Sequence, residues 1–286
     1  MKKRMLPLLA LSTPLFLAGC GDEDGQAEEN KEIELVYVAW ESEIASNNVI
    51  KEALEQAGYD VTLTLVEQSI MWSSVANQEA DGFVAGWLPD DMRADYEQYG
   101  DEMVDLGANL EGAQTGLAVP TYMDIDSIEE LSSDVVEEIT GIDAGAGVVI
   151  ATEEVLDAYD IDDVALSTSS DAFMTAELDS RYNAEEPVVV TAWQPHWKFN
   201  SYDLKFLEDP QGIYAEDGEI RTLVREGLEE DDPTAYQILD NFSWTPEDMN
   251  AVMLYVEEEG MEPEEAAAKW VEDNQETVDE WINVDE

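Results

Sequence analysis

Short apolar runs alternate with helical patterns along the chain from Ile33 onward. Residues 50, 53, 54 and 57 share one helical face that ends before Gly58, whereas residues 61, 63 and 65 alternate with polar neighbours, as in a half-buried strand. Similar patterns predict strands at 35–39, 82–86, 116–119, 164–166 and 187–191, and helices at 71–76, 148–159 and 172–178. This order predicts an α/β fold with a layered sheet and crossover helices.

The C-terminal part of the chain is predicted to be helical. Thr245, followed by Pro246 and two acids, has the cap, the first-turn proline and the negative charges of a helix start. Similar signals predict helices at 233–239 and after Glu262, and a capping box opens a short helix at Ser127–Glu130. We expect the C-terminal helices to pack back on the first part of the chain.

One motif recurs at a separation of 106 residues. Residues 85–89 read AGWLP and residues 191–195 read TAWQP, and a tyrosine follows each tryptophan nine residues later. The same offset relates Glu41 to Gly147, so the loops at the strand ends coincide. The pattern predicts two related α/β lobes that arose from a diverged internal repeat.

Charge narrows the range of functions. The 286 residues include 69 acidic and 12 basic side chains, a net charge of −57 spread along the chain, while 44% of the residues are hydrophobic. We therefore expect a globular core that repels nucleic acid and anionic membrane surfaces. Self-repulsion on this scale is relieved by salt, which indicates a halophilic protein. A calcium store is the alternative, but its Asp-x-Asp-x-Asp-Gly loop does not occur.

The N-terminal segments follow one another in the order found in secretory signal peptides. Three basic residues at 2–4 precede the apolar stretch 6–17, and the segment LAGC ends at Cys20. This resembles the lipobox of bacterial lipoproteins, whose cysteine is lipidated and becomes the mature N-terminus. We expect a signal peptide at 1–20, lipidation of Cys20, an acidic tether at 21–32 and a location on the extracytoplasmic face of the cell membrane. The alternative is an ordinary signal peptide with a chance cysteine.

Three of the eight tryptophans, Trp40, Trp87 and Trp193, lie at the ends of predicted strands. Ligands of open α/β sheets bind beyond the carboxyl ends of the strands. A quaternary ammonium has no N–H to donate, so indole faces bind it through dispersion and cation–π attraction. The rings predict a cage for such a cation, or else they merely cover the edges of the lobes.

A zwitterion would also need an anion site. The segment AGAGV at 144–148 leads into a predicted helix, so the N–H groups at its start and the positive end of its dipole would face the cleft. The sequence offers few residues of the kinds that enzymes use in catalysis. The chain has one histidine, His196, and one cysteine, and the usual phosphate-loop and hydrolase motifs do not occur. We expect no cofactor, no metal and no catalytic residue.

Several motifs in order resemble the glycine betaine-binding lipoproteins of ATP-driven (ABC-type) osmoprotectant importers. They are YVAWESEIAS at 37–46, AGWLP at 85–89, GIDAGAG at 141–147, TAWQPHW at 191–197, LKFLEDP at 204–210 and FSWTP at 242–246. The resemblance covers residues 33–260. It implies a two-lobed periplasmic-binding-protein fold, type II-like, with the ligand cleft between the lobes and a membrane permease as the partner.

The resemblance also implies roles for single residues. Trp40, Trp87 and Trp193 would surround the trimethylammonium group, and the N–H groups of Gly147 and Val148 would bind the carboxylate. Members of the family place a histidine five residues after the second cage tryptophan, where this chain has Met92 followed by Arg93. Met92, Arg93 and His196 are therefore possible residues of the ligand edge, and we interpret His196 mainly as a structural support of the cage.

The predicted function is extracytoplasmic binding of glycine betaine or a related betaine, without chemistry on the ligand. Lobe one would comprise residues 33–120 and 205–286 and lobe two residues 121–204, with crossings near 119–123 and 202–207. Two alternatives stay open: a binder of another osmolyte (ectoine, carnitine, proline betaine or choline) and an extracellular hydrolase that uses a pair of carboxylates.

Overall fold

A computed structural model describes residues 31–214 and 217–284. The predicted signal peptide, Cys20 and the tether up to residue 30 lie outside the described residues. Lys31 and Glu32, which we expected in the tether, belong to the first strand because they pair with Tyr59 and Asp60 of its neighbour. In the part of the chain that the structure describes, no helix is long and apolar enough to cross a membrane.

Strands and helices largely alternate up to residue 225, and helices follow in the rest of the described residues. The strands are β1 (Lys31–Tyr37), β2 (Tyr59–Leu65), β3 (Gly82–Leu88), β4 (Met103–Pro120), β5 (Glu138–Gly141), β6 (Ala165–Thr168), β7 (Val189–Gln194), β8 (Leu204–Phe206) and β9 (Gly218–Arg225). The helices are α1 (Glu41–Gln56), α2 (Gln68–Ala76), α3 (Arg93–Tyr99), α4 (Gly147–Ala158), α5 (Asp171–Asn183), α6 (Lys198–Ser201), α7 (Leu228–Asp231), α8 (Pro233–Asn241), α9 (Pro246–Glu257), α10 (Pro263–Asp273) and α11 (Gln275–Ile282).

The strands form a mixed sheet in the order β2-β1-β3-β9-β4-β7-β5-β6, with β8 beside the end of β4. Neighbours are parallel in the outer groups β2-β1-β3 and β7-β5-β6, and β9 and β4 are antiparallel to their neighbours. Every residue of β3 is buried, as expected of a strand with helices over both faces. The α/β class predicted from the sequence is confirmed.

Strand β4 connects the two groups of strands. Its residues 103–113 pair with β9, and its residues 114–120 pair with β7 and β8. We call β1–β3, β9 and the first part of β4 lobe one, and the rest of β4 with β5–β8 lobe two. The pairing partner of β4 changes after Ala113, whereas the first boundary was predicted at residue 120. The chain returns to lobe one between Phe206 and Gly218, whereas the second boundary was predicted at 204–205. Both differences arise because β4 and β8 extend the pairing of lobe two.

Several elements differ from the sequence prediction: β5, β8, α3, α6 and α7 were not predicted, and α1, β4 and β9 differ most. Helix α1 begins at Glu41, whereas the sequence pattern indicated a helix only near Ile50. Its first turns are polar although they are buried, so no apolar face marks them in the sequence. Strand β4 is much longer than the predicted strand at 116–119. Register irregularities before Ala113 interrupt the alternation of its side chains, so the sequence pattern indicated only its last part. Strand β9 was missed altogether. The C-terminal helices behave as expected: α8 to α11 all contact α1, and Thr245 and Asp248 form a capping box at the start of α9.

Candidate functional site

The three tryptophans line one small cavity between the lobes, together with Asp91, Thr115, Ile142 and Val148. Trp40 is the N-cap residue of α1, just beyond β1, and Trp87 and Trp193 are the penultimate residues of β3 and β7. The rings of Trp40 and Trp193 are 6.2 Å apart between centroids and inclined by 48°. The three residues are only 3–5% exposed, so the rings enclose the cavity and do not decorate a rim.

The first turn of α1 holds two of these rings in place. Trp87 donates its indole N–H to Glu43 Oε1 at 2.7 Å, and Trp193 donates its indole N–H to Ser42 Oγ at 3.3 Å. The second bond joins lobe two to lobe one. Because both indole N–H groups are satisfied at the ring edge, the parts of the rings that line the cavity can make apolar or cationic contacts. Burial raises the pKa of Glu43 to about 7, although its hydrogen bonds with Trp87 and Ser46 oppose the shift.

Helix α4 begins at Gly147, as the glycine-rich segment predicted, and Val148 lines the cavity. The N–H groups of both residues belong to the first turn and therefore have no acceptor within the helix. Gly147 also packs directly on the loop after β3: a Cβ at this position would overlap the carbonyl oxygen of Asp91. Glycine is thus required where the two lobes meet.

Met92 and Arg93 do not line the cavity. Met92 is buried beneath α2, where its sulfur accepts the indole N–H of Trp72 at 3.4 Å. Arg93 is exposed and forms an ion pair with Asp90. The residue of this loop that does line the cavity is Asp91, which the sequence did not indicate, because one acid among 69 carries no signal.

Asp91 lines the cavity, and one oxygen of its carboxyl group lacks a hydrogen-bond partner among the described residues. Its Oδ1 is enclosed and accepts no hydrogen bond from the residues that the structure describes. Burial, reinforced by the charge of Asp90, raises the pKa of Asp91 to about 7. The carboxyl group is therefore poised between its neutral and ionised forms near neutral pH.

His196 lies behind the cage in a buried polar cluster. Its ring meets Trp193 edge-on at 4.8 Å between centroids, and its Nε2 lies 3.6 Å from both Glu41 Oε2 and Asp171 Oδ1. The Lys198 ammonium covers the Trp193 ring at 3.8 Å from its centroid. Burial lowers the pKa of His196 to about 4 and that of Lys198 to about 8. The cluster joins α1 of lobe one to lobe two and supports the cage from outside.

The same cluster contains donor groups of the kinds that bind metal ions. Glu41, Asp171 and His196 each offer a ligand atom within 4.8 Å of the others. However, the charge of the buried Lys198 acts on both carboxyl groups, so the cluster already contains its cation. Burial and the charge of Asp171 raise the pKa of Glu41, which disfavours the ionised form that a metal ion would need. The donor set therefore does not fit a metal ion well.

Relatives of known structure share this architecture. The crystal structure of lactococcal OpuAC, in its closed-liganded conformation with glycine betaine, matches with a TM-score of 0.86 at 44% identity and covers 89% of this chain and 100% of that chain. ProX from Borrelia burgdorferi, a glycine/betaine/L-proline-binding protein, matches with a TM-score of 0.85 at 39% identity, over 88% of this chain and 97% of that chain. The two-lobed fold expected from the sequence is confirmed.

Sequence comparison leads to the same group. The curated protein GbuC of Listeria monocytogenes, a glycine betaine/carnitine transport binding protein, is 48% identical over 165 residues, which are 57% of this chain. The match spans about half of that relative, 55% of its length. The family model for the substrate-binding domain of ABC-type glycine betaine transport systems, OpuAC, matches residues 31–273. The chain therefore belongs to this family of substrate-binding domains, whose members are transport proteins and not enzymes.

Proposed function

We propose that the chain is the extracytoplasmic substrate-binding component of an ATP-driven importer. It holds a quaternary-ammonium solute such as glycine betaine among Trp40, Trp87 and Trp193. The observation that carries this proposal is one cavity walled by three indoles from both lobes. Two of the rings have their N–H groups turned to protein acceptors. Such a wall attracts a cation that cannot donate hydrogen bonds.

Such a cage supplies a sizeable share of the free energy that micromolar binding requires. Each indole face contributes about 0.5–2 kcal/mol of cation–π attraction. Three faces supply several of the ~8 kcal/mol that a micromolar dissociation constant requires, and burial of the methyl groups adds to this.

Binding also couples to the arrangement of the lobes. Trp40 and Trp87 belong to lobe one, and Trp193 and Val148 belong to lobe two, so a solute in the cavity touches both. A ligand that contacts both lobes favours the closed form, and this is the form that a permease partner can distinguish from the empty protein.

The membrane attachment rests on the sequence alone. The LAGC segment and the charged and apolar segments before it support a lipid anchor at Cys20 and a location outside the cytoplasmic membrane. The net charge of −57 supports function at high salt. Family membership removes the hydrolase alternative, whereas binding of another osmolyte remains the second candidate because Asp91 lines the cavity.

The proposed cage is tested by substituting one of its three tryptophans. Trp40 is the suitable position, because the hydrogen bonds of Ser42 and Glu43 to the other two rings stay intact. We expect Trp40→Leu to weaken binding of glycine betaine and choline by about 1–2 kcal/mol and Trp40→Phe to weaken it less, since only phenylalanine retains a π face. Calorimetric titration in fixed molar KCl measures both variants, with melting temperatures as the control for folding.

A neutral ligand of the same shape tests whether binding depends on the positive charge of the quaternary ammonium. The alcohol 3,3-dimethylbutan-1-ol has the form of choline with carbon in place of nitrogen, and we expect it to bind far more weakly than choline does to the wild-type protein. The proposal fails if no quaternary ammonium binds, or if the leucine and phenylalanine variants bind as tightly as the wild type.

A further inference from the structure

The position of Asp91 bears on which quaternary ammonium the cage selects. Resting on the function proposed above, we propose that Asp91 is the specificity-determining residue of the site. Its carboxylate takes the place of a ligand carboxylate, so the cage prefers a quaternary-ammonium alcohol of the choline class to a betaine zwitterion.

The first argument is the place that Asp91 occupies. Both its carbonyl oxygen and its Oδ2 approach the first residue of α4, and Oδ2 is 2.5 Å from the point where a Cβ on Gly147 would stand. The N–H groups of Gly147 and Val148 are the donors that the resemblance to the family assigned to a ligand carboxylate. In the structure, the carboxyl group of Asp91 lies against Gly147, the residue that carries the first of these N–H groups.

The second argument is a matching contact in the other half of the repeat. Glu41 begins α1 as Gly147 begins α4, at the same offset of 106 residues. The backbone N–H of Glu41 donates to Asp171 Oδ2 at 3.2 Å, and Asp171 belongs to the opposite lobe. Asp91 likewise reaches α4 from the opposite lobe. In both halves a carboxyl group from the opposite lobe thus lies at the start of the helix, although only Asp171 is hydrogen-bonded to a backbone N–H there.

The third argument is the charge around Asp91. The neighbouring charge that acts on it is a second acid, Asp90, and its enclosed Oδ1 has no hydrogen-bond partner among the described residues. A betaine carboxylate would bring another negative charge to the same place, which is strongly unfavourable away from water. An alcohol with a trimethylammonium group instead donates its hydroxyl to Asp91 and supplies the missing positive charge.

The experiment compares two ligands that differ in this one group. Choline and glycine betaine are titrated calorimetrically into the purified protein at pH 8 in fixed molar KCl. We expect the wild type to bind choline more tightly. In Asp91→Asn we expect the preference for choline over glycine betaine to fall at least about tenfold, because a hydrogen bond to a charged group contributes this much or more. Asp90→Asn is the matched control: it removes the same charge from the same loop outside the cavity and should leave the preference nearly unchanged.

The outcomes separate the two proposals. A wild-type preference for glycine betaine, or an Asp91→Asn variant with an unaltered preference, overturns the role of Asp91 and leaves the quaternary-ammonium function standing. Failure of both ligands to bind the wild type overturns the proposed function itself. Should Asp91→Asn unfold, Asp91→Glu, which keeps the charge but lengthens the side chain, must still reduce the preference for choline.

Discussion

Glu43 links the stability of the protein to pH. Its side chain is fully buried on α1, and burial raises its pKa from the ordinary 4.5 to about 7. A carboxyl group with a raised pKa stays protonated in the folded protein while it ionises in the unfolded chain, so the folded protein loses stability as the pH rises from 4.5 to 7. At 1.36 kcal/mol for each pKa unit, this loss amounts to about 3 kcal/mol.

The substitution Glu43→Gln removes the titration and keeps an acceptor for the Trp87 indole N–H, which now lies 2.7 Å from Glu43 Oε1. We therefore expect the variant to gain about 2–3 kcal/mol on the wild type between pH 5 and pH 8. Chemical denaturation in fixed molar KCl at both pH values measures the difference. Glu55→Gln, on the exposed face of the same helix, serves as the control with the same change of charge.

The refuting result is specific. If the stability difference between Glu43→Gln and the wild type is the same at pH 5 and pH 8, the buried carboxyl group is not protonated in the folded protein. The environment of the Trp87 ring would then be more polar than the geometry indicates.

Two further predictions concern the closed form and the surface charge. Gly147→Ala places a Cβ against the Asp91 carbonyl. It should weaken ligand binding at least about tenfold, which corresponds to a cost of about 1.4 kcal/mol for closure of the lobes. Gly145→Ala is the control, because its Cβ meets open space and the variant should bind normally in the same titration. The melting temperature should rise from dilute buffer to molar KCl because salt screens the net charge of −57, and a scan without this rise would contradict the halophilic interpretation.

Apolar patterns and rare residues carried most of what could be predicted from the sequence. The tryptophans stood out because three of the eight lie where short apolar runs end, and such runs predict strands. The repeat was also informative: the offset that relates the two Trp-x-Pro motifs relates the first residues of α1 and α4, Glu41 and Gly147. A pattern detected in sequence thus reappears as the equivalent start of two helices.

Polar residues of the site could not be predicted in the same way. Asp91 and Glu43 differ from the other acids only in burial, which depends on how the lobes meet and leaves no trace in composition. The buried first turns of α1 look like a surface loop in sequence, because Ser42 and Glu43 face indole rings and not an apolar core. The resemblance to the family directed attention to Met92, whereas the neighbouring Asp91 lines the cavity.

The single strand β4, which passes from one lobe to the other, has a mechanical consequence. Its hydrogen-bond partner changes from β9 to β7 without a break in the strand, so a rotation between the lobes would twist this extended backbone as well as the return crossing between Phe206 and Gly218. The irregular pairing before Ala113, with Gly107 and Gly112 at positive φ, is the compliant part of this connection. We therefore expect the backbone conformation at these two glycines to influence how readily the cage opens.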